Sequence, residues 1–209
     1  MKSLRVLIVE GSDDEHVVKH ICAQRNLGKI DKFDPRGGKE NLLDGIGVRI
    51  KESNIGSLGI MLDADTDLCA CWQSIVHRLR KAGYPQVPDL PDPRGTVLPP
   101  HDELLLPRLG IWLMPNNELP GILEDFLKFL VPEDDQLLVH AESALSNLPI
   151  PVRFTELKRP KALIHTWLAW QEEPGKPFGQ AISARYLDVS LPSAHIFASW
   201  LQRTFFFEP

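Results

Sequence analysis

The sequence predicts an α/β fold: a parallel sheet of about four strands with helices on both faces, followed by a helical C-terminal extension. Three observations predict it. Leu4 to Val9 is a nearly unbroken apolar run, the pattern of a strand covered on both faces. A second run of the same kind spans Leu58 to Leu62. Each is followed closely by a segment whose apolar residues recur at helical spacing, which makes the strand-then-helix half-unit of a parallel sheet.

In chain order, the first strand stops at Glu10-Gly11. Ser12 and Glu15 then match a capping box, and Val17, Val18, Ile21 and Cys22 line one face of the first helix. A shorter run, Lys29 to Phe33, gives a second strand ending at Asp34-Pro35-Arg36-Gly37-Gly38, with a helix over 39–53. After the strand at Leu58 come Asp63-Ala64-Asp65-Thr66-Asp67, then a helix with Leu68, Cys71, Trp72, Ile75, Val76 and Leu79 on its apolar face. Seven of the eighteen prolines fall between Tyr84 and Arg108, so this stretch reads as an extended insertion without regular structure, a candidate flap. A fourth strand over 110–114, Pro115-Asn116-Asn117 and a helix over 121–130 close the α/β part. Three further helices are expected over 134–148, 156–171 and 193–206. The domain division is therefore 1–131 for the α/β unit, with the insertion 84–108, and 132–209 for a helical extension packed on it.

Composition bounds the function. With 209 residues, 43% of them apolar and 24% charged, the chain is a globular protein with room for one sizeable core. No apolar run reaches the roughly 20 residues of a membrane-spanning helix, and no leader pattern opens the sequence, so a soluble cytoplasmic protein is expected. Cys22, Cys69 and Cys71 form neither a disulfide framework nor a zinc motif. The net charge of −5 divides into −7 over residues 1–150 and +2 over 151–209, which excludes a generally basic nucleic-acid binder. Contact with phosphate would need a local basic surface or bound cations.

Ligands in open α/β sheets sit off the carboxyl ends of the strands. There the sequence delivers Glu10, then Asp63 with Asp65 and Asp67, then Asn116, Asn117 and Glu118. Carboxylates crowded together repel and raise one another's pKa unless a cation or proton offsets them. The donors are oxygens without neighbouring His or Cys, which points to magnesium, with manganese as the alternative.

Val9-Glu10-Gly11-Ser12-Asp13-Asp14, as V-E-G-x-x-D, and Leu62-Asp63-Ala64-Asp65-Thr66-Asp67, as D-x-D with a third Asp, resemble the paired motifs of the Toprim domains of topoisomerases, bacterial primases and OLD-type nucleases. The resemblance covers residues 4 to 131, and the tail is similar to a small stand-alone bacterial Toprim-like family with a helical extension. It implies a Toprim-like sheet, Glu10 as general acid or base in phosphodiester chemistry, and Asp63, Asp65 and Asp67 holding magnesium together with Glu10. The chain has no phosphate-binding G-x-x-x-x-G-K-[ST] loop, no zinc ribbon and only two tyrosines, Tyr84 and Tyr186. ATPase, primase and topoisomerase activities are therefore not expected.

Each residue has a plainer reading. Glu10 could stabilise the following helix terminus as a solvated carboxylate. Asp65 or Asp67 could cap the next helix. Asp14 fits a first-turn dipole residue equally well, and Asn116 and Asn117 fit turn chemistry. His16 and His20 have helical metal-pair spacing but lack the H-E-x-x-H context. Lys158, Arg159 and Lys161 form the most basic short stretch, either a weak nucleic-acid contact or a solvated helix face. Trp167 and Trp170 read as packing residues. Phe205 to Phe207 leave open packing on the chain's own core or on a second subunit.

Three functions are consistent with these residues. The first is a magnesium-dependent nuclease or related phosphotransfer enzyme. The second is a non-catalytic module docking to nucleic acid or a protein partner. The third is a structural protein whose rim carboxylates are paired with Lys or Arg and bind no metal.

Overall fold

The computed structural model describes residues 3–207. Its sheet has five strands, β1 (Leu4–Val9), β2 (Lys32–Pro35), β3 (Ile55–Asp63), β4 (Thr96–Leu98) and β5 (Arg108–Met114), in the order β2-β1-β3-β5-β4. The first three and β5 run parallel, and β4 pairs antiparallel with β5. The expected α/β class and the parallel strands are present, with β2 shifted from 29–33 to Lys32–Pro35. In the proline-rich stretch the expectation needs correction, because it contains β4 and a short 3-10 turn over Asp102–Leu104. Its walls are pinned: Trp72 Nε1 donates to the Pro88 carbonyl at 3.2 Å, and the Tyr84 hydroxyl donates to that of Pro107 at 2.7 Å.

Strand alternation sorts the core into two layers. Val6, Ile8, Leu58, Ile60, Leu62, Leu109, Ile111 and Leu113 face α2 (Lys39–Ile50) and α3 (Leu68–Ala82). Leu7, Val9, Met61, Trp112 and Met114 face the other way, towards α1 (Ser12–Gln24) and α8 (Pro192–Phe205). Four helices complete that second layer: α4 (Leu123–Lys128), α5 (Gln136–Ser146), α6 (Arg159–Ala169) and α7 (Phe178–Ser183). The sequence predicts α5, α6 and α8 and omits α7. Its helix over 121–130 is shorter in the structure.

The C-terminal region supplies one wall of the core. Phe197 and Trp200 of α8 stack on Trp112 of β5 with ring centroids 4.9 and 5.5 Å apart, and Phe126 of α4 joins them at 5.0 Å from Phe197. Gly110 makes the approach possible, since a Cβ there would collide with the side chain of Thr204. Phe205 is buried in the chain's own core, while Phe207 stays partly exposed over the Arg108 guanidinium. Trp167 is buried as expected, whereas Trp170 is partly exposed. Among the described residues no helix is long and apolar enough to cross a membrane.

Candidate functional site

Because β1, β3 and β5 are neighbours, their carboxyl ends form one rim. Asp63 closes β3 opposite Met114 of β5, and the Asp63 backbone N–H donates to Glu10 Oε1 at 2.8 Å. That bond joins the ends of the two motifs directly. Asp63 Oδ1, by contrast, is buried with no hydrogen-bond partner.

The first helix begins one residue earlier than the Ser12–Glu15 box implies. Gly11 is the N-cap, and Asp14 Oδ2 accepts from the Gly11 N–H at 2.8 Å. Glu15 turns outward and pairs with Lys19 at 2.5 Å. The correction matters for the site: Asp14 is only 6% exposed and is directed to the same rim.

Two loops carry the other components. Gly37 and Gly38 adopt φ of 72° and 126° and donate their N–H groups to the Glu10 carbonyl at 2.9 and 3.0 Å, a turn that other residues enter only with strain. This sets the start of α2 beside β1 and brings Lys39 to the rim, where its Nζ donates to Asp65 Oδ2 at 2.6 Å and to the Asp63 carbonyl at 2.9 Å. On the far side, the Asp65 N–H donates to the Gly121 carbonyl at 2.9 Å, tying the end of β3 to the loop that starts α4. Glu124 follows on α4, 5% exposed and paired with Lys161 of α6 at 3.1 Å.

The electrostatics follow from this crowding. Burial, reinforced by the charges of Glu10, Asp14, Glu124 and Asp65, lifts the Asp63 carboxyl to about 9. Burial also lifts Asp14 to about 7, against the stabilising Gly11 N–H and with the repulsion of Glu10 and Glu124. Glu10 is raised as well, chiefly by burial, with the Asp63 N–H and Lys39 opposing the shift. For Lys39 burial works against the charge and is the largest single influence, but the hydrogen bond to Asp65 and the charges around it together outweigh it, and the ammonium is held more strongly protonated. Lys161 behaves likewise through Glu124 and also feels Asp13 and Asp63.

Of the remaining predicted residues, all but Lys161 lie apart from this centre. Asp67 is the N-cap of α3, accepting from the Ala70 N–H at 2.8 Å. Asn116 closes a turn by accepting from the N–H groups of Glu118 and Leu119. Asn117, 2% exposed with φ 64°, accepts from the Leu113 N–H at 2.8 Å. Both asparagines therefore serve the loop. Arg159 donates to Ser146 Oγ at 2.7 Å, and Lys158 ends a 3-10 turn. Lys161 belongs to the rim as the partner of Glu124. His20 Nδ1 lies 2.7 Å from Ser183 Oγ and locks α1 to α7.

Lys39 and Glu124 are the residues that sequence reasoning misses. Glu124 had a faint signal, a carboxylate flanking the apolar face of Leu123, Phe126 and Leu127. Lys39 had another, a cation in the first turn of a helix, where the dipole disfavours it.

The donors are of the kind a hard cation takes, Asp63 keeps one buried oxygen without a hydrogen-bond partner, and burial holds the Asp14 and Asp63 carboxyl groups towards their protonated form. They are not gathered at one point: among the described residues no three Asp, Glu, His or Cys side chains converge closely enough to hold an ion. The hydrogen bonds account for the spacing, since Lys39 holds Asp65 and the Gly11 N–H holds Asp14.

The sequence profile of the family described as "Protein of unknown function (DUF3226)" matches residues 4–206. No curated protein and no solved structure gives a significant match to the chain.

Proposed function

The chain belongs to this family, and we propose that it is a magnesium-dependent, or manganese-dependent, phosphodiester-cleaving enzyme of Toprim type acting on nucleic acid in the cytoplasm. One observation carries the reading. Glu10 and Asp63 meet on adjoining strand ends, with an unpartnered carboxylate oxygen buried between groups that repel one another. Asp63, Asp65 and Glu10 would hold the cation, with Asp14 and Glu124 close enough to bias it electrostatically. A cation there supplies polarisation of a phosphate and stabilisation of the charge that develops on it.

The chain's own groups do the rest. The Asp63 N–H fixes the orientation of the Glu10 carboxyl, and burial raises its pKa above the ordinary glutamate value, which suits a group that moves a proton. Lys158 and Arg159 offer positive charge towards a phosphate backbone. The Toprim resemblance supports the same assignment of Glu10, Asp63 and Asp65.

Two ion pairs favour a second reading. Lys39–Asp65 and Lys161–Glu124 are what a metal-free, charge-balanced rim requires. Against it, neither pair reaches the Asp63 carboxyl, and Asp14 and Glu10 remain raised. Incubating the protein with single-stranded and duplex DNA and RNA, with magnesium, manganese or EDTA, separates the readings. Cleavage that needs the cation and falls at least about a hundredfold in Asp63→Asn is the expected result. Equal cleavage by that variant, or none by the wild type with either ion, rejects the enzyme.

A further inference from the structure

The proline-rich insertion takes no part in the rim. It lies at the other end of the sheet, where Leu98 of β4 pairs with Leu109 near the start of β5. There a cleft of about 740 Å³ opens between the end of α3 and the end of β4, with Tyr84, Val87, Leu98, Pro99 and Pro100 on its walls and Arg80 beside them. Proline fixes its own backbone dihedral, and cross-links hold the rest of the wall. Gln73 Nε2 donates to the Asp89 carbonyl at 3.2 Å, next to the bonds from Trp72 to Pro88 and from Tyr84 to Pro107. The cleft is formed before anything enters it, so filling it costs little ordering.

Where that wall ends, a knob begins. His101 and Leu106 exchange backbone N–H···O bonds of 3.0 Å and so close a tight loop over Asp102–Leu105. The loop holds two leucines out in solvent, Leu104 at 51% and Leu105 at 86% exposure. Leu105 moreover sits at φ 53°, a left-handed conformation that a leucine enters only with strain. Water gives an apolar side chain nothing in return, and the His101–Leu106 bridge ties the knob to the outside of its own cleft.

Charge distinguishes the two features. Asp102 and Glu103, at the base of the knob, are exposed and form no ion pair with a described residue. On the cleft, Arg80 is held only by a 3.4 Å contact to Asp89, which is itself 95% exposed, so the pair exchanges readily with another carboxylate. Lys81 follows Arg80 and is also exposed. An acidic, leucine-tipped knob thus stands beside an apolar cleft with a basic lip.

We propose that the knob of one copy of the chain seats in the cleft of a second copy, and that of the second in the first, giving a symmetric dimer. Leu104 and Leu105 fill the cleft, while Asp102 and Glu103 meet Arg80 and Lys81. Because knob and cleft adjoin on one surface, a single two-fold axis between them closes both contacts at once. The contact is small, so the affinity is of micromolar order. The two rims lie at the far ends of the sheets and stay open, and the pairing is independent of what the rim does.

Sedimentation velocity on the full chain, across the micromolar range, tests the pairing. The wild type should be a dimer that dissociates on dilution. Leu105→Gly, which relieves the strain and removes the apolar tip, should be folded by circular dichroism and monomeric. Gln86→Trp, an exposed substitution on the cleft wall, should also be folded and monomeric. Leu105→Gly keeps an intact cleft and Gln86→Trp an intact knob, so a mixture of the two regains one contact and should sediment faster than either alone. Arg80→Glu should weaken the wild-type dimer by about tenfold or more. A wild type that is monomeric throughout overturns the proposal. So does a dimer indifferent to Leu105→Gly or to Arg80→Glu, and so does a mixture that shows no gain.

Discussion

Asp63 is where sequence, geometry and charge coincide. Its carboxyl is lifted from 3.8 to about 9 by burial and by four neighbouring carboxyl groups. A group bound more tightly to its proton in the folded state favours folding fully below the unfolded pKa and loses that contribution as pH rises towards 9. The wild type in EDTA should therefore lose stability from pH 5 to 9 relative to Asp63→Asn, with the variant ahead by about 1–3 kcal/mol at the alkaline end. Urea unfolding at several pH values measures this, and a gap that narrows with pH contradicts it. Cation binding should show the matching dependence, tightening as Asp14 and Asp63 lose protons and releasing protons into the buffer. Glu10 and Asp63 were legible as charges ending long apolar runs. Lys39 and Glu124 were not, because each reaches the rim through a turn whose partner lies far away in sequence.

Elements differ in how far local chemistry decides them. β1 and β3 are legible because strands covered on both faces are continuously apolar, while β4 has three residues among prolines and α7 only six. The sequence pattern sets the start of α1 one position late, because Ser12 is intrinsically the better cap than Gly11. The structure uses Gly11 so that Asp14 closes the turn while facing the rim. At the start of α3 local chemistry does prevail, with Asp67 holding the Ala70 N–H. Asp67→Ala should cost about 1 kcal/mol of stability and leave manganese affinity unchanged, whereas Asp65→Ala should weaken the metal. A calorimetric titration beside a melting curve distinguishes the two, and equal loss of metal in both would return Asp67 to the centre.

The whole molecule depends on its C-terminal region more than a division at residue 131 implies. Trp112, Phe126, Phe197 and Trp200 form one aromatic cluster across that boundary. Trp200→Ala should destabilise the protein by about 3–5 kcal/mol, and a chain stopped before residue 192 should show no cooperative melt. Calorimetry on both checks this, and a sharp transition in the shortened chain would show that the α/β unit folds alone. Gly110 has a further consequence in time. The sheet surface it keeps open for α8 is complete once residue 114 is made, yet its cover is residues 192–205. During synthesis Trp112 is therefore made long before its aromatic cover on α8, and this face of the sheet stays incompletely covered until the last helix is added.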